Sequence, residues 1–477
     1  MNVVGRILLA LVIALTSLGA MSSKRGDQTA DDDEIRIGNL TPHTGPLAEF
    51  GAIGKAEAAY FDMINERGGI NGRKVRFISY DDNSDPTVAL DLTRELVEKE
   101  DVLLMFGSFG TPGNLAVRAF LNERKIPQLF VASGNEELSN PEAFPWTMGW
   151  QPSFRAEGRI YANYIQAFYP NRKIVVLWQN DQFGRDLYKG IQDGLGDLKR
   201  MIIVGIAFDI ADEHIDGHVS ILKRSGADVL VFAGVPTTAS QVIRLAADLH
   251  WHPVFLLNDA SASIGTALGP AGVENSAGVI SASFLKDPSD PAWKDDPAIK
   301  DWLSFMDHFY PKGDKGSSAA LYGYAAAETL AQVLKQCGDD LSRENVMRQA
   351  KALKDYQPAV LLPGIRINTG PENLRPIKQM RLVQFDGRTW QPIGDVIENA
   401  FFWRPGEIVY RQRESPCLIP AQRKKNHVSS QQLFIRRLKM SLRPARWRGA
   451  PTPSRSIDLT QYPLNCEVTW FKRVVSM

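Results

Sequence analysis

Short apolar runs alternate with longer amphipathic stretches from about residue 35 onward. Ile35–Leu40, Val75–Tyr80, Val102–Gly107 and Gln128–Ala132 read as strands, and Ala52–Arg67, Pro86–Glu100 and Gly113–Arg124 fit between them as helices. Such alternation predicts a parallel sheet covered on both faces, an α/β fold. The segment ERGGINGRKV marks one boundary sharply. Gly68-Gly69 stop a helix there, and Asn71-Gly72 turn the chain into the next strand.

FPWTMGWQPS, Phe144–Ser153, interrupts the rhythm with two prolines and two tryptophans. A second alternating set follows, with strands at Lys173–Trp178, Ile202–Phe208, Asp228–Phe232 and Val254–Leu257. From Gly278 the chain has one strand and then mainly helices, at Ala298–Tyr310, Ala319–Gln336 and Arg343–Leu353. LLPGIRINTG and KQMRLVQFDGRTWQPIG look like a late hairpin-like pair of strands. The simplest assembly is two similar α/β lobes joined by crossings near 150, 280 and 360. Lobe 1 is expected to take 35–150 plus 280–358, and lobe 2 to take 151–279 plus 359–397. A cleft between two such lobes is a natural ligand site.

Charge divides the chain. From Ala400 onward there are 15 Lys/Arg against 4 Asp/Glu, while residues 1–399 carry 40 basic and 50 acidic groups. An acidic body argues against a nucleic-acid groove, which needs a concentrated basic surface. Residues 400–477 are basic, proline-bearing and without sustained periodicity. Disorder, or an extension foreign to the fold, is the leading reading, and a nucleic-acid or membrane-surface arm is the alternative. At the other end, Arg6, the apolar run ILLALVIAL (Ile7–Leu15) and the small residues of TSLGAMSS read as a signal peptide over residues 1–22. An uncleaved membrane anchor is the alternative, but a bilayer span needs about 20 apolar residues. Cys337, Cys417 and Cys466 are too few for a cysteine-stapled scaffold, and Cys337 reads as a small buried hydrophobe.

The chemistry gathers around glycine-rich turns. LLMFGSFGTPGN places Gly107, Gly110 and Gly113 in a G-x-x-G-x-x-G spacing, not the G-x-G-x-x-G of dinucleotide sites. A P-loop would require glycine at Pro112 and lysine after it, and no lysine occurs between Lys99 and Lys125. What remains is a helix N-terminus with free N–H groups and the Thr111 hydroxyl, able to hold one carboxylate. Alternatively, Thr111 simply caps the helix. LFVASGNEEL repeats the design one strand later at Ala132-Ser133-Gly134.

Other polar clusters are weaker. DDNSDP begins like a calcium loop, but Pro86 and Leu92 replace the required glycine and glutamate, so Asp85 reads as a helix cap. His214 and His218 have the i,i+4 spacing of metal ligands without a third partner nearby. No metal or cofactor is expected. No G-x-S-x-G elbow occurs, and no other enzyme motif survives.

Taken together, IRIGNLTPHTGPLAEFGAIGKAEAAYFDMINERGGINGRKVRFISYDDNSDP, GSFGTPGN, QNDQFGRDLYKGIQDGL and LYGYAAAETL resemble the periplasmic branched-chain amino-acid binding proteins of ABC transporters. The likeness covers about residues 35–397. It implies two Rossmann-like lobes of the type I periplasmic binding protein fold, joined by a multi-strand hinge. In that family the lobes close on a small solute, and a membrane permease reads the closed form. By position, Thr111 and the Ala132-Ser133 backbone would hold the ligand carboxylate. Phe50, Phe109 and Phe183 would line an apolar side-chain pocket, joined by Tyr322. Asp259, in LLNDASASIG, falls where the family places an acid for the ligand ammonium. The resemblance therefore implies a periplasmic, monomeric binder of an amino acid or related carboxylate. A binder of aromatic carboxylic acids and a sensory protein of the same fold are the alternatives.

Overall fold

The computed structural model describes residues 34–398. The signal-peptide reading of residues 1–22 and the basic segment 400–477, with Cys417 and Cys466, lie outside the described residues. Two sheets organise the chain. The first is wholly parallel, in the order β2-β1-β3-β4-β5, from β1 (Glu34–Leu40), β2 (Lys74–Tyr80), β3 (Leu104–Phe106), β4 (Gln128–Val131) and β5 (Thr147–Gly149). The second runs β12-β11-β10-β9-β8-β6-β7. Its strands are β6 (Ile174–Gln179), β7 (Ile202–Phe208), β8 (Val229–Ala233), β9 (Val254–Leu257), β10 (Ile280–Ser283), β11 (Gln379–Phe385) and β12 (Trp390–Glu398). Strands β6 to β10 are parallel, while β11 and β12 join antiparallel.

Local sequence explains most elements. Strands β3, β4 and β8 are buried at every position, as parallel strands covered on both faces require. Helix α1 (Ala52–Glu66) buries Ile53, Ala56, Tyr60, Met63 and Ile64, a stripe at helical spacing. It ends before Gly68 and Gly69, at φ of 100° and 80°. Asp85 caps α2 (Pro86–Glu98) by accepting from the N–H groups of Thr87 and Val88 at 2.7 and 3.3 Å. Helices α3 (Thr111–Glu123), α4 (Phe154–Phe168), α5 (Gln182–Leu195), α6 (Ile215–Arg224) and α7 (Pro236–Asp248) follow their strands. Helices α4 and α5 pack so closely that a Cβ on Gly158 would lie 2.3 Å from the Leu187 carbonyl oxygen, and one on Gly190 equally near Arg155.

Helices α8 (Pro297–Phe309), α9 (Ser318–Cys337) and α10 (Arg343–Ala350) return to the first sheet, where α9 lies along α1. Cys337 is buried near its end, with Sγ 3.3 Å from the Val333 carbonyl oxygen.

Two expectations change. The strand at Ile280 pairs with β9 and β11 in the second sheet, so the return crossing falls after Ser283 rather than at 280. LLPGIRINTG is not a strand of the hairpin. Its backbone makes isolated bridges, Leu361 to Leu285 and Ile367 to Tyr356, because Pro363 lacks a donor and Gly364 turns at φ 92°. The hairpin lies wholly between β11 and β12, around Gly387.

The three crossings meet at Trp150, which is fully buried. Its ring lies 6.0 Å from Phe284 on the second crossing and 4.7 Å from Tyr322 of α9. Its carbonyl oxygen accepts from Ile377 N–H on the third, at 3.2 Å. Its indole N–H donates to Thr329 Oγ1 at 3.2 Å. A rigid aromatic whose carbonyl and indole N–H are both hydrogen-bonded thus pins the three crossings together.

Candidate functional site

The first wall begins where β3 ends. Gly107 adopts φ 63°, in a space closed by Glu57 of α1, whose Oε1 would stand 2.0 Å from an added Cβ. Glu57 is fully buried. One carboxyl oxygen accepts from Asn39 Nδ2 at 3.0 Å, and burial pushes its carboxyl well above the ordinary range. The loop is then stitched to the next strand. Phe109 N–H donates to Leu40 O, Ala132 N–H to Ser108 O at 3.0 Å, and Gly110 N–H to Ala132 O at 3.2 Å.

This stitching corrects one expected role. The Ala132 N–H is spent on Ser108, and the Ser133 N–H donates to Val131 O at 2.8 Å. Neither peptide is free for a ligand carboxylate. What the second turn offers instead is the Ser133 hydroxyl, 2.7 Å from Thr111 Oγ1. Nor does Thr111 cap α3: Gly110 holds the cap position at φ 90°, no side chain caps it, and Thr111 is the first helical residue. The Thr111 and Ser133 hydroxyls share one hydrogen bond, and Asn135 N–H donates to Ser133 Oγ at 3.2 Å. One of their two hydroxyl hydrogens is left over. With the uncapped first-turn N–H groups of α3, it makes a donor-rich patch suited to an anion.

The opposite wall is acidic. Asp259 follows β9 and faces the cavity, and Glu157 of α4 lies behind it, 4% exposed. Glu157 Oε1 accepts from the Asp259 backbone N–H at 2.7 Å. Burial raises both carboxyls from the ordinary range, and the Asp259 charge raises Glu157 further. Asp181 caps α5 through Gly184 N–H at 3.0 Å, and burial raises its carboxyl too. That cap sets Phe183 in the first turn, edge-on to Phe154 at 4.7 Å.

One cavity of about 780 Å³ opens onto both walls. Phe50, Phe109, Thr111, Ala132, Ser133, Phe183, Asp259 and Tyr322 all border it. Phe50 and Phe109 are half-buried rather than core, with rings stacked at 4.5 Å and 14°. Tyr322 reaches the floor and donates to Gln151 Oε1 at 3.0 Å. Sequence reasoning missed Gln151 and Glu157. The signal for Glu157 was readable, since it sits at helical spacing with buried Phe154, Tyr161 and Ile165 on the apolar face of α4. His214 and His218 stay apart from this site. His218 Nε2 lies 2.8 Å from Asp212 Oδ2, and no group of three His, Cys, Asp or Glu is placed for a metal among the described residues.

Comparison with known proteins agrees with this architecture. A family model described as periplasmic binding protein matches residues 34–389. A Leu/Ile/Val-binding protein homolog 1 of Brucella abortus (strain 2308) is 26% identical over 351 residues, 72% of this chain and 87% of the relative. A solved branched-chain amino acid ABC transporter protein from Thermus thermophilus, with bound valine, aligns at TM-score 0.69 and 18% identity, over 79% of this chain and 98% of that one. A fatty acid ABC transporter substrate-binding protein from Thermomonospora curvata aligns at 0.65 and 20% identity, over 79% and 95%. At these identities the structural likeness carries the fold, and the two neighbours differ in what they bind.

Proposed function

The chain belongs to the periplasmic binding protein family, and from that premise we propose that it is the extracytoplasmic solute-binding protein of an ABC importer, taking an amino acid or a related small carboxylate. One observation carries the reading. A single cavity has an uncapped helix N-terminus with the Thr111 and Ser133 hydroxyls on one wall, and the Asp259 carboxyl on the other. Donors facing a half-buried acid suit a zwitterion, whose carboxylate and ammonium each need a partner when desolvated. The half-buried phenylalanines supply the apolar space between. In this reading the lobes are residues 35–150 with 284–358, and 151–283 with 359–397. They close on the solute, and a membrane permease takes it from a monomeric receptor that is exported to the periplasm.

A second reading is a binder of aromatic or aliphatic acids that lack an ammonium, favoured by the Phe50–Phe109 stack and by the size of the cavity. The test is a thermal-shift screen of amino acids against such acids. A solute at 100 times its Kd raises stability by about 2.7 kcal/mol, which is readily seen as a higher melting temperature. Silence across both panels would sink the reading.

A further inference from the structure

Tyr161 has one hydroxyl hydrogen and two oxygens in reach of it. Its Oη lies 2.7 Å from the Leu257 carbonyl oxygen and 2.7 Å from Glu157 Oε1. It also accepts from the Ala282 backbone N–H at 3.2 Å. A carbonyl oxygen only accepts, so the Tyr161 hydrogen satisfies Leu257. The second 2.7 Å contact, otherwise a donation from Tyr161 to Glu157 Oε1, keeps a hydrogen of its own when Glu157 is a neutral carboxylic acid. If Glu157 were ionised, the two contacts would compete for the one Tyr161 hydrogen.

On the solute-binding reading above, we propose that Glu157 is a positioning residue of the ammonium subsite. It holds a proton while the cleft is empty, leaves Asp259 as the single negative charge on that wall, and gives the proton up when an ammonium docks. The Glu157 O–H bond breaks, the proton passes to the buffer, and the ligand ammonium keeps its three hydrogens. The Tyr161 hydrogen then swings from Leu257 to the new carboxylate.

The surroundings support this. The groups facing the pair and Tyr161 of α4 are Tyr322 from α9 and the hydroxyls of Ser281 and Ser283 on β10, none of them cationic. Burial keeps both tyrosines neutral, far above the ordinary phenol range. Two neighbouring buried carboxyls that repel each other without a cation favour the singly protonated state, and a cation arriving at one lowers the proton affinity of both. The backbone bond from Asp259 to Glu157 makes the coupling direct, since the loop that carries the first acid rests on the second.

The experiment is titration calorimetry of the full chain in two buffers of unlike ionisation enthalpy, from pH 6 to 9. The probes are L-leucine and L-phenylalanine, with 4-methylpentanoate and 3-phenylpropanoate as their counterparts without the ammonium. Binding of the amino acids should release up to one proton from the wild type and less from Glu157→Gln. The counterpart acids should release none. At pH 7 a protonated-carboxyl stretch in the infrared difference spectrum should disappear in Glu157→Gln. Equal proton counts in the wild type and Glu157→Gln, or equal release by both probe classes, would overturn the inference. If Glu157→Gln fails to fold, the comparison of probe classes on the wild type decides alone. Binding of the counterpart acids without the amino acids would leave the solute-binding reading standing and overturn this inference only. Binding of neither class would overturn both.

Discussion

Thr111 Oγ1 and Ser133 Oγ lie 2.7 Å apart although 22 residues separate them, because each follows the end of a neighbouring parallel strand. The bond ties two glycine-rich turns into one donor patch. Thr111→Val or Ser133→Ala should weaken binding of any carboxylate solute about 10- to 100-fold, from charge-assisted hydrogen bonds worth ~1.5–3 kcal/mol. Calorimetry measures it, and the melting temperature of the free protein should move little. If both variants bind like the wild type, the carboxylate sits elsewhere.

Asp259→Asn tests the opposite wall. An amino acid should lose at least about 100-fold in affinity, because its desolvated ammonium is left without a counter-charge. A simple carboxylate should bind Asp259→Asn as well as it binds the wild type. Burial raises the Asp259 carboxyl, so acidification neutralises it early. Amino-acid affinity should therefore fall as pH drops below neutrality, while carboxylate affinity changes less. Equal losses for both classes in Asp259→Asn would remove the ammonium role.

Glu57 makes a prediction about stability. Its carboxyl is raised by full burial, so between its unfolded and folded pKa the native state binds more protons than the unfolded one. Its contribution is fully present below the unfolded pKa and is lost as pH rises through the folded one. Glu57→Gln, which keeps the bond with Asn39 through its amide oxygen, should melt several degrees higher than the wild type at pH 8. The gap should close towards pH 4. A constant gap across that range would show that the native carboxyl is not held neutral.

Asn135 Nδ2 donates to Asp186 Oδ2 at 2.6 Å, joining the turn after β4 to α5. Asn135→Ala should favour the open arrangement and raise the apparent Kd about tenfold. Small-angle scattering of the free variant should show a larger radius of gyration. An unchanged radius with unchanged Kd would mean that the bond does not hold the lobes.

The two repeats of strand and helix were legible in the sequence because burial on both faces of a parallel strand leaves an unbroken apolar run. Val254–Leu257 coincides with β9, and Ile202–Phe208 with β7, an edge strand that is apolar in sequence although alternate positions are exposed. Asp85 was readable as a cap because an acid before Pro86 has a local partner. Strand β10 could be seen, but its sheet could not, since pairing with β11 joins residues about a hundred positions apart. LLPGIRINTG misled for a related reason: its apolar residues satisfy the junction of the crossings, not a ladder.

The same division runs through the site. The sequence by itself determined that a helix N-terminus with a hydroxyl, and not a phosphate loop, follows Gly110, because lysine and glycine spacing are local chemical facts. It also determined which side chains could border a cleft. Only the tertiary structure decided which donors are left free, because the Ala132 and Ser133 peptides are spent on hydrogen bonds to neighbouring backbone. Only the tertiary structure set Glu157 behind Asp259, where a shared hydrogen-bond network and exclusion of water, neither of which is local to any segment, govern where the proton resides.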